Sequence, residues 1–122
     1  MLTRFDHVQV AAPEACEAAA RGFYGGLLEL EELEKPSGLA GRGGCWFRIG
    51  TQELHVGVEQ AFRPALKAHP GFAAESVEAL QKLADRLTAA GVEVVWADPA
   101  EIPGRPRFHA ADPFGNRLEF LA

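Results

Sequence analysis

Apolar and polar positions along this chain alternate with two periods, and the order in which the periods appear repeats once. Phe5-Asp6-His7-Val8-Gln9-Val10 alternates as a strand does, with Val8 and Val10 on one side and Phe5, His7 and Gln9 on the other. Pro13 then opens a helix-like stretch, Glu14 to Tyr24, that the pair Gly25-Gly26 is placed to close. Strand-like runs follow at 27–33, 45–49 and 52–59, separated by the turn-forming segments Lys35-Pro36-Ser37-Gly38, Gly41-Arg42-Gly43-Gly44 and Gly50-Thr51. In the last run Leu54, Val56 and Val58 oppose Glu53, His55 and Gly57.

After a linker, 60–68, the same order returns. His69 to Ala74 reads as a strand whose Pro70 suits an edge or a strand start. Ser76 is placed to cap a helix whose Leu80, Leu83, Ala84 and Leu87 form one apolar face, with Gly91 at its C-terminal cap position. Strands are then expected at 92–97, 107–111 and 117–121, the last two joined by the turn Asp112-Pro113-Phe114-Gly115-Asn116. Each half thus reads strand, helix, strand, strand, strand, and His69 takes the place of His7 as Glu119 takes that of His55. The expected class is α+β, one domain over 1–122, with repeat one at about 4–59 and repeat two at about 69–122.

Side-chain parity turns this repeat into candidate chemistry. Apolar alternates must pack on the helices, so His7, His55 and Glu119 project from the opposite faces of their sheets. His69 stands at the position equivalent to His7. Three imidazoles and a carboxylate suit a divalent metal such as zinc, nickel, cobalt, manganese or ferrous iron, and any three of them leave coordination positions for water or substrate. Gln9 lies on the His7 face, Trp46 and Arg48 share one face of the third strand, and Arg107 and His109 share parity on the seventh; all five are candidates to contact a substrate.

Composition narrows the alternatives. The formal net charge is −5 and no stripe of Lys or Arg is present, which argues against nucleic acid as a partner. No apolar run reaches the ~20 residues that span a bilayer, and the N-terminus lacks the pattern of a signal peptide, so a cytoplasmic protein is expected. Cys16 and Cys45 fit no metal or redox spacing and read as reduced, buried thiols.

Phe5-Asp6-His7-Val8, Gln52-Glu53-Leu54-His55, His69-Pro70-Gly71-Phe72 and, above all, Asp112-Pro113-Phe114-Gly115-Asn116-Arg117-Leu118-Glu119-Phe120 resemble the vicinal oxygen chelate superfamily. Its members include glyoxalase I, fosfomycin- and bleomycin-resistance proteins and extradiol dioxygenases. The resemblance covers essentially the whole chain. It implies two tandem βαβββ modules forming curled mixed sheets around a cup, in a homodimer. It further implies a metal held by His7, His69 and Glu119, with His55 at the fourth-strand position and Glu119 as the carboxylate able to act as a base. At that fourth-strand position glyoxalase I carries a glutamate, so His55 argues against glyoxalase I activity. Two functions follow as expectations: a metal-dependent enzyme (lyase, isomerase, transferase or dioxygenase) acting on a small oxygen-chelating substrate, or a metal-free protein that binds a drug or metabolite, as bleomycin-resistance proteins do.

Overall fold

The computed structural model describes residues Met1–Ala122, which divide into two compact units, Met1–Pro64 and Ala65–Ala122. The first unit contains β1 (His7–Ala12), a short helix α1 (Glu17–Ala20) continued by a π-helical segment (Arg21–Leu27), β2 (Glu31–Leu33), β3 (Cys45–Ile49) and β4 (Gln52–Val58). The second contains β5 (Gly71–Ala73), helix α2 (Val77–Ala89), β6 (Val95–Trp96), β7 (Arg107–Ala111) and β8 (Arg117–Leu121). Each unit has one open four-stranded mixed sheet, ordered β1-β4-β3-β2 in the first and β5-β8-β7-β6 in the second. β1 runs parallel to β4 and β5 parallel to β8, while the remaining pairs are antiparallel. The expected α+β class and the twofold βαβββ order are therefore both present.

Register makes the repeat a physical correspondence. Gln9 stands opposite His55 on β1–β4, and Gly71 stands opposite Glu119 on β5–β8. His7 and His69 each lie two residues before those positions. On the other flank Trp46 pairs with His55 and His109 pairs with Glu119. Cross-strand partners project to the same face, so each sheet presents three equivalent side chains: His7, His55 and Trp46 in one, His69, Glu119 and His109 in the other.

The opposite faces form the cores. Val10, Phe23, Tyr24, Phe47, Leu54 and Val56 are buried in the first unit, and Phe72, Leu80, Leu87, Phe108, Leu118 and Phe120 in the second. Phe72, Phe120 and Phe108 stack in sequence with centroids 5.2 and 5.0 Å apart, so these phenylalanines are core residues. α2 forms as its pattern predicts: the Ser76 hydroxyl accepts a 3.0 Å hydrogen bond from the Ala79 amide, and Leu80, Ala84 and Leu87 are buried.

Several boundaries differ from the sequence pattern, each for a local reason. The first helix begins at Glu17 and not at Glu14, because Ala15 has a φ of 60° that no α-helix tolerates. Gly25-Gly26 does not stop it; the Leu28 amide donates five residues back to the Phe23 carbonyl, and the wider turns run on to Leu27. That continuation shortens the strand expected at 27–33 to Glu31–Leu33. The first strand is shifted to His7–Ala12, which leaves Val8 exposed and Val10 buried. Pro70 has no amide to donate, so β5 starts at Gly71, while the Pro70 carbonyl accepts from the Glu119 amide. The strand expected at 92–97 is reduced to Val95–Trp96.

Candidate metal centre

Glu119 lies at the middle of β8, flanked by β5 and β7, and its two carboxylate oxygens have different partners. Oε2 is 3.2 Å from Nε2 of His69. Oε1 accepts a 2.7 Å hydrogen bond from Nη1 of Arg107 and lies 3.6 Å from Nε2 of His109. Arg107 is itself fixed by its second nitrogen, which donates to Glu101 at 2.8 Å. The donor atoms of His69, His109 and Glu119 all fall within 4.8 Å of one another.

The tautomer of His69 follows from its other neighbour. Nδ1 lies 2.9 Å from the carbonyl oxygen of Lys67, which can only accept, so Nδ1 carries the proton. On the neutral ring, Nε2 then turns a lone pair toward a carboxylate oxygen. Two acceptors facing each other at that distance require a proton on the ring or a cation between them. Two ligands about 2.1 Å from one ion, at angles of about 90–109°, are separated by roughly 3.0–3.4 Å, and the His69–Glu119 separation of 3.2 Å falls in that range. The carbonyl anchor on Nδ1 is also the arrangement that orients metal-bound histidines. The residues fit a divalent cation.

Electrostatics keep two donors in the forms a cation needs. Burial pushes the Glu119 carboxyl up, but the hydrogen bond from Arg107, with the His69 and His109 rings beside the carboxylate, outweighs it, and the net shift is below the ordinary carboxylate value. Burial lowers the pKa of His109, and the nearby Arg117 and Arg107 lower it further. At neutral pH the carboxylate is ionised and the His109 ring is neutral.

In the first unit the equivalent face carries rings. His55, only 4% exposed, stacks on Trp46 with centroids 3.8 Å apart and planes 2° from parallel, and on His7 at 4.3 Å and 13°. Its Nε2 lies 2.8 Å from Oε1 of Glu53, and Nδ1 of His7 lies 3.0 Å from Oδ2 of Asp6. Gln9 rests on Gly57, where an added Cβ would meet its Cδ at 2.8 Å. Arg48 faces solvent and pairs with Glu31 at 3.3 Å.

Thus His69 and Glu119 stand together in one unit, and His7 and His55 stand together in the other. His109, expected as a substrate contact, sits among the metal-type donors. Arg107 is engaged with two carboxylates. Glu101 was missed because it lies in the Pro/Gly-rich loop before β7, where no periodicity marks a position. The Asp112–Asn116 motif is structural: Oδ1 of Asp112 accepts from the amides of Phe114 and Asn116 at 2.9 Å each, and Asn116 accepts from the Ala65 amide at 3.0 Å.

Known proteins place these features in context. A family profile described as the Glyoxalase/Bleomycin resistance protein/Dioxygenase superfamily matches residues 4–120. The chain is 48% identical to a putative glyoxalase family protein from Bacillus anthracis, covering 99% of this chain and 95% of that one with a TM-score of 0.91. A lactoylglutathione lyase from Agrobacterium tumefaciens is similar at 21% identity, 98% and 93% coverage and a TM-score of 0.75. A genomically encoded fosfomycin resistance protein, FosX, from Listeria monocytogenes is similar at 17% identity, 100% and 92% coverage and a TM-score of 0.73. The last two likenesses concern the fold alone. No curated protein matches the chain.

Proposed function

The chain belongs to the Glyoxalase/Bleomycin resistance protein/Dioxygenase superfamily, and on that footing we propose that it is a divalent-metal-dependent enzyme acting on a small substrate that offers oxygen ligands. The observation that carries this is the apposition of His69 Nε2 and Glu119 Oε2 at 3.2 Å, with Nδ1 of His69 anchored on a backbone carbonyl. His69 and Glu119 would hold the ion. Bound there, a divalent metal supplies Lewis-acid polarisation of a substrate oxygen.

The protein's own residues have separate tasks in this scheme. The Lys67 carbonyl holds the His69 ring in one tautomer. Arg107 occupies Oε1 of Glu119 and leaves Oε2 facing His69. Glu119 is carried both as a ligand and as the candidate base, and a substrate proton would reach it only at an oxygen released by the ion or by Arg107. The same scheme carries His7 and His55 as further candidate ligands, and Gln9, Trp46 and Arg48 as substrate contacts. It also carries the homodimer common in this superfamily.

Metal content after purification without chelator tests the function. One divalent ion per chain is expected in wild type, with loss in His69→Ala and Glu119→Ala; His7→Ala and His55→Ala are measured alongside. A wild-type protein that takes up no metal but binds a hydrophobic cation tightly would replace this function with metal-free ligand binding.

A further inference from the structure

The two sheets present equivalent trios, and their chemistry differs in a way that assigns a role to His109. In the first unit the flanking position is Trp46, whose indole has no lone pair to give a metal, and the trio closes as a ring stack. In the second unit the same position, opposite the central residue of the last strand, is His109, and the central residue is a carboxylate. The His69 and His109 rings meet edge to face with centroids 5.7 Å apart and planes at 80°, so both rings approach Glu119 without covering one another. The His109 side chain is 19% exposed and that of Glu119 17%, which shields the cluster while leaving a route to solvent.

We propose that His109 is a metal ligand, and that His69, His109 and Glu119, all in the second unit, together form a two-histidine, one-carboxylate set. The inference rests on the metal function proposed above. Two ligands at about 2.1 Å cannot be more than about 4.2 Å apart, and a cluster already within 4.8 Å reaches that limit with side-chain adjustments of a few tenths of an ångström. Such a set has ligands on β7, β8 and the approach to β5, all within one hydrogen-bonded sheet. The remaining coordination positions are left for a substrate offering oxygen atoms.

Cobalt(II) titration of the full-length protein tests the assignment, using visible absorption for affinity and proton NMR for the number of hyperfine-shifted exchangeable imidazole signals. In His109→Ala and His109→Gln, affinity should fall by more than the roughly 10–100-fold that loss of an outer-shell partner costs, and one shifted imidazole signal should vanish. The glutamine variant, close in size to the histidine, covers the case in which the alanine variant fails to fold. If wild type binds cobalt through His69 and Glu119 while His109→Gln retains both its affinity and every shifted signal, the assignment is overturned and the metal function stands. Failure of wild type to bind cobalt overturns both.

Discussion

Glu119 shows how much one side chain depends on the partners of each of its atoms. Its ionised form is favoured in the fold, so it contributes stability that is present above its ordinary pKa of 4.5 and is lost as pH falls through the lower folded value. In metal-free buffer, Glu119→Gln should therefore have a shallower acid limb in stability-versus-pH curves below about pH 4.5, as measured by urea unfolding. His109 has the opposite chemistry and the same sense of pH dependence. Its neutral form is favoured in the fold, so stability is unaffected above its ordinary value of 6.5 and declines as pH falls below it. His109→Gln should flatten the pH 6.5-to-acid segment of the same curves. Arg107 acts through geometry. Arg107→Lys keeps the charge but cannot bridge Glu119 and Glu101 with a planar fork; metal affinity should drop about tenfold, in line with loss of an outer-shell partner. Unchanged affinity in that variant would assign Arg107 to charge alone.

The strands and turns carry a different kind of information. The Asp112–Asn116 turn was the most family-like stretch of the sequence, yet its side chains face inward and hold the β7–β8 connection together. Asp112 is 5% exposed and Asn116 1%, and Asn116 ties the turn to Ala65. Asp112→Ala would strand several buried amide donors and should cost about 3 kcal/mol, read as a lowered urea midpoint with an unchanged slope. Gly44 offers a sharper test in the first unit. Its φ is +82° and a Cβ there would sit 2.0 Å from the Val56 carbonyl oxygen, so Gly44→Ala must displace β3 from β4 and should prevent stable folding, seen as loss of near-ultraviolet circular dichroism.

Taken as one chain, the protein is a duplicated unit whose copies have diverged at equivalent positions. One copy stacks three rings, His7, His55 and Trp46; the other gathers His69, His109 and Glu119. Under the proposed function a divalent metal would bind the native chain through ordered donors that the unfolded chain lacks, so it should raise the melting temperature, and at 100 times its dissociation constant the gain is about 2.7 kcal/mol. Differential scanning calorimetry with zinc and with chelator checks this, and Glu119→Ala should abolish the difference between the two traces.

Periodicity and parity carried most of the fold. β3, β7, β8 and the cap and apolar face of α2 were legible because alternation and helical spacing are local properties that burial of one face enforces. The grouping of His7 with His55 was legible because parity decides the face of a sheet, and that of His69 with Glu119 because the repeat sets them where His7 and His55 stand in the first copy. The π-helical continuation past Gly25-Gly26, the late start at Glu17 and the short β6 were not, because each depends on backbone hydrogen bonds and φ values that composition does not specify. The rank of His109 among the candidates was hidden for a further reason. Whether a residue on the correct face reaches a neighbour's oxygen depends on cross-strand register, and register is set by pairing across the sheet. Along the chain His109 is one more polar alternate; opposite Glu119 it is the third donor.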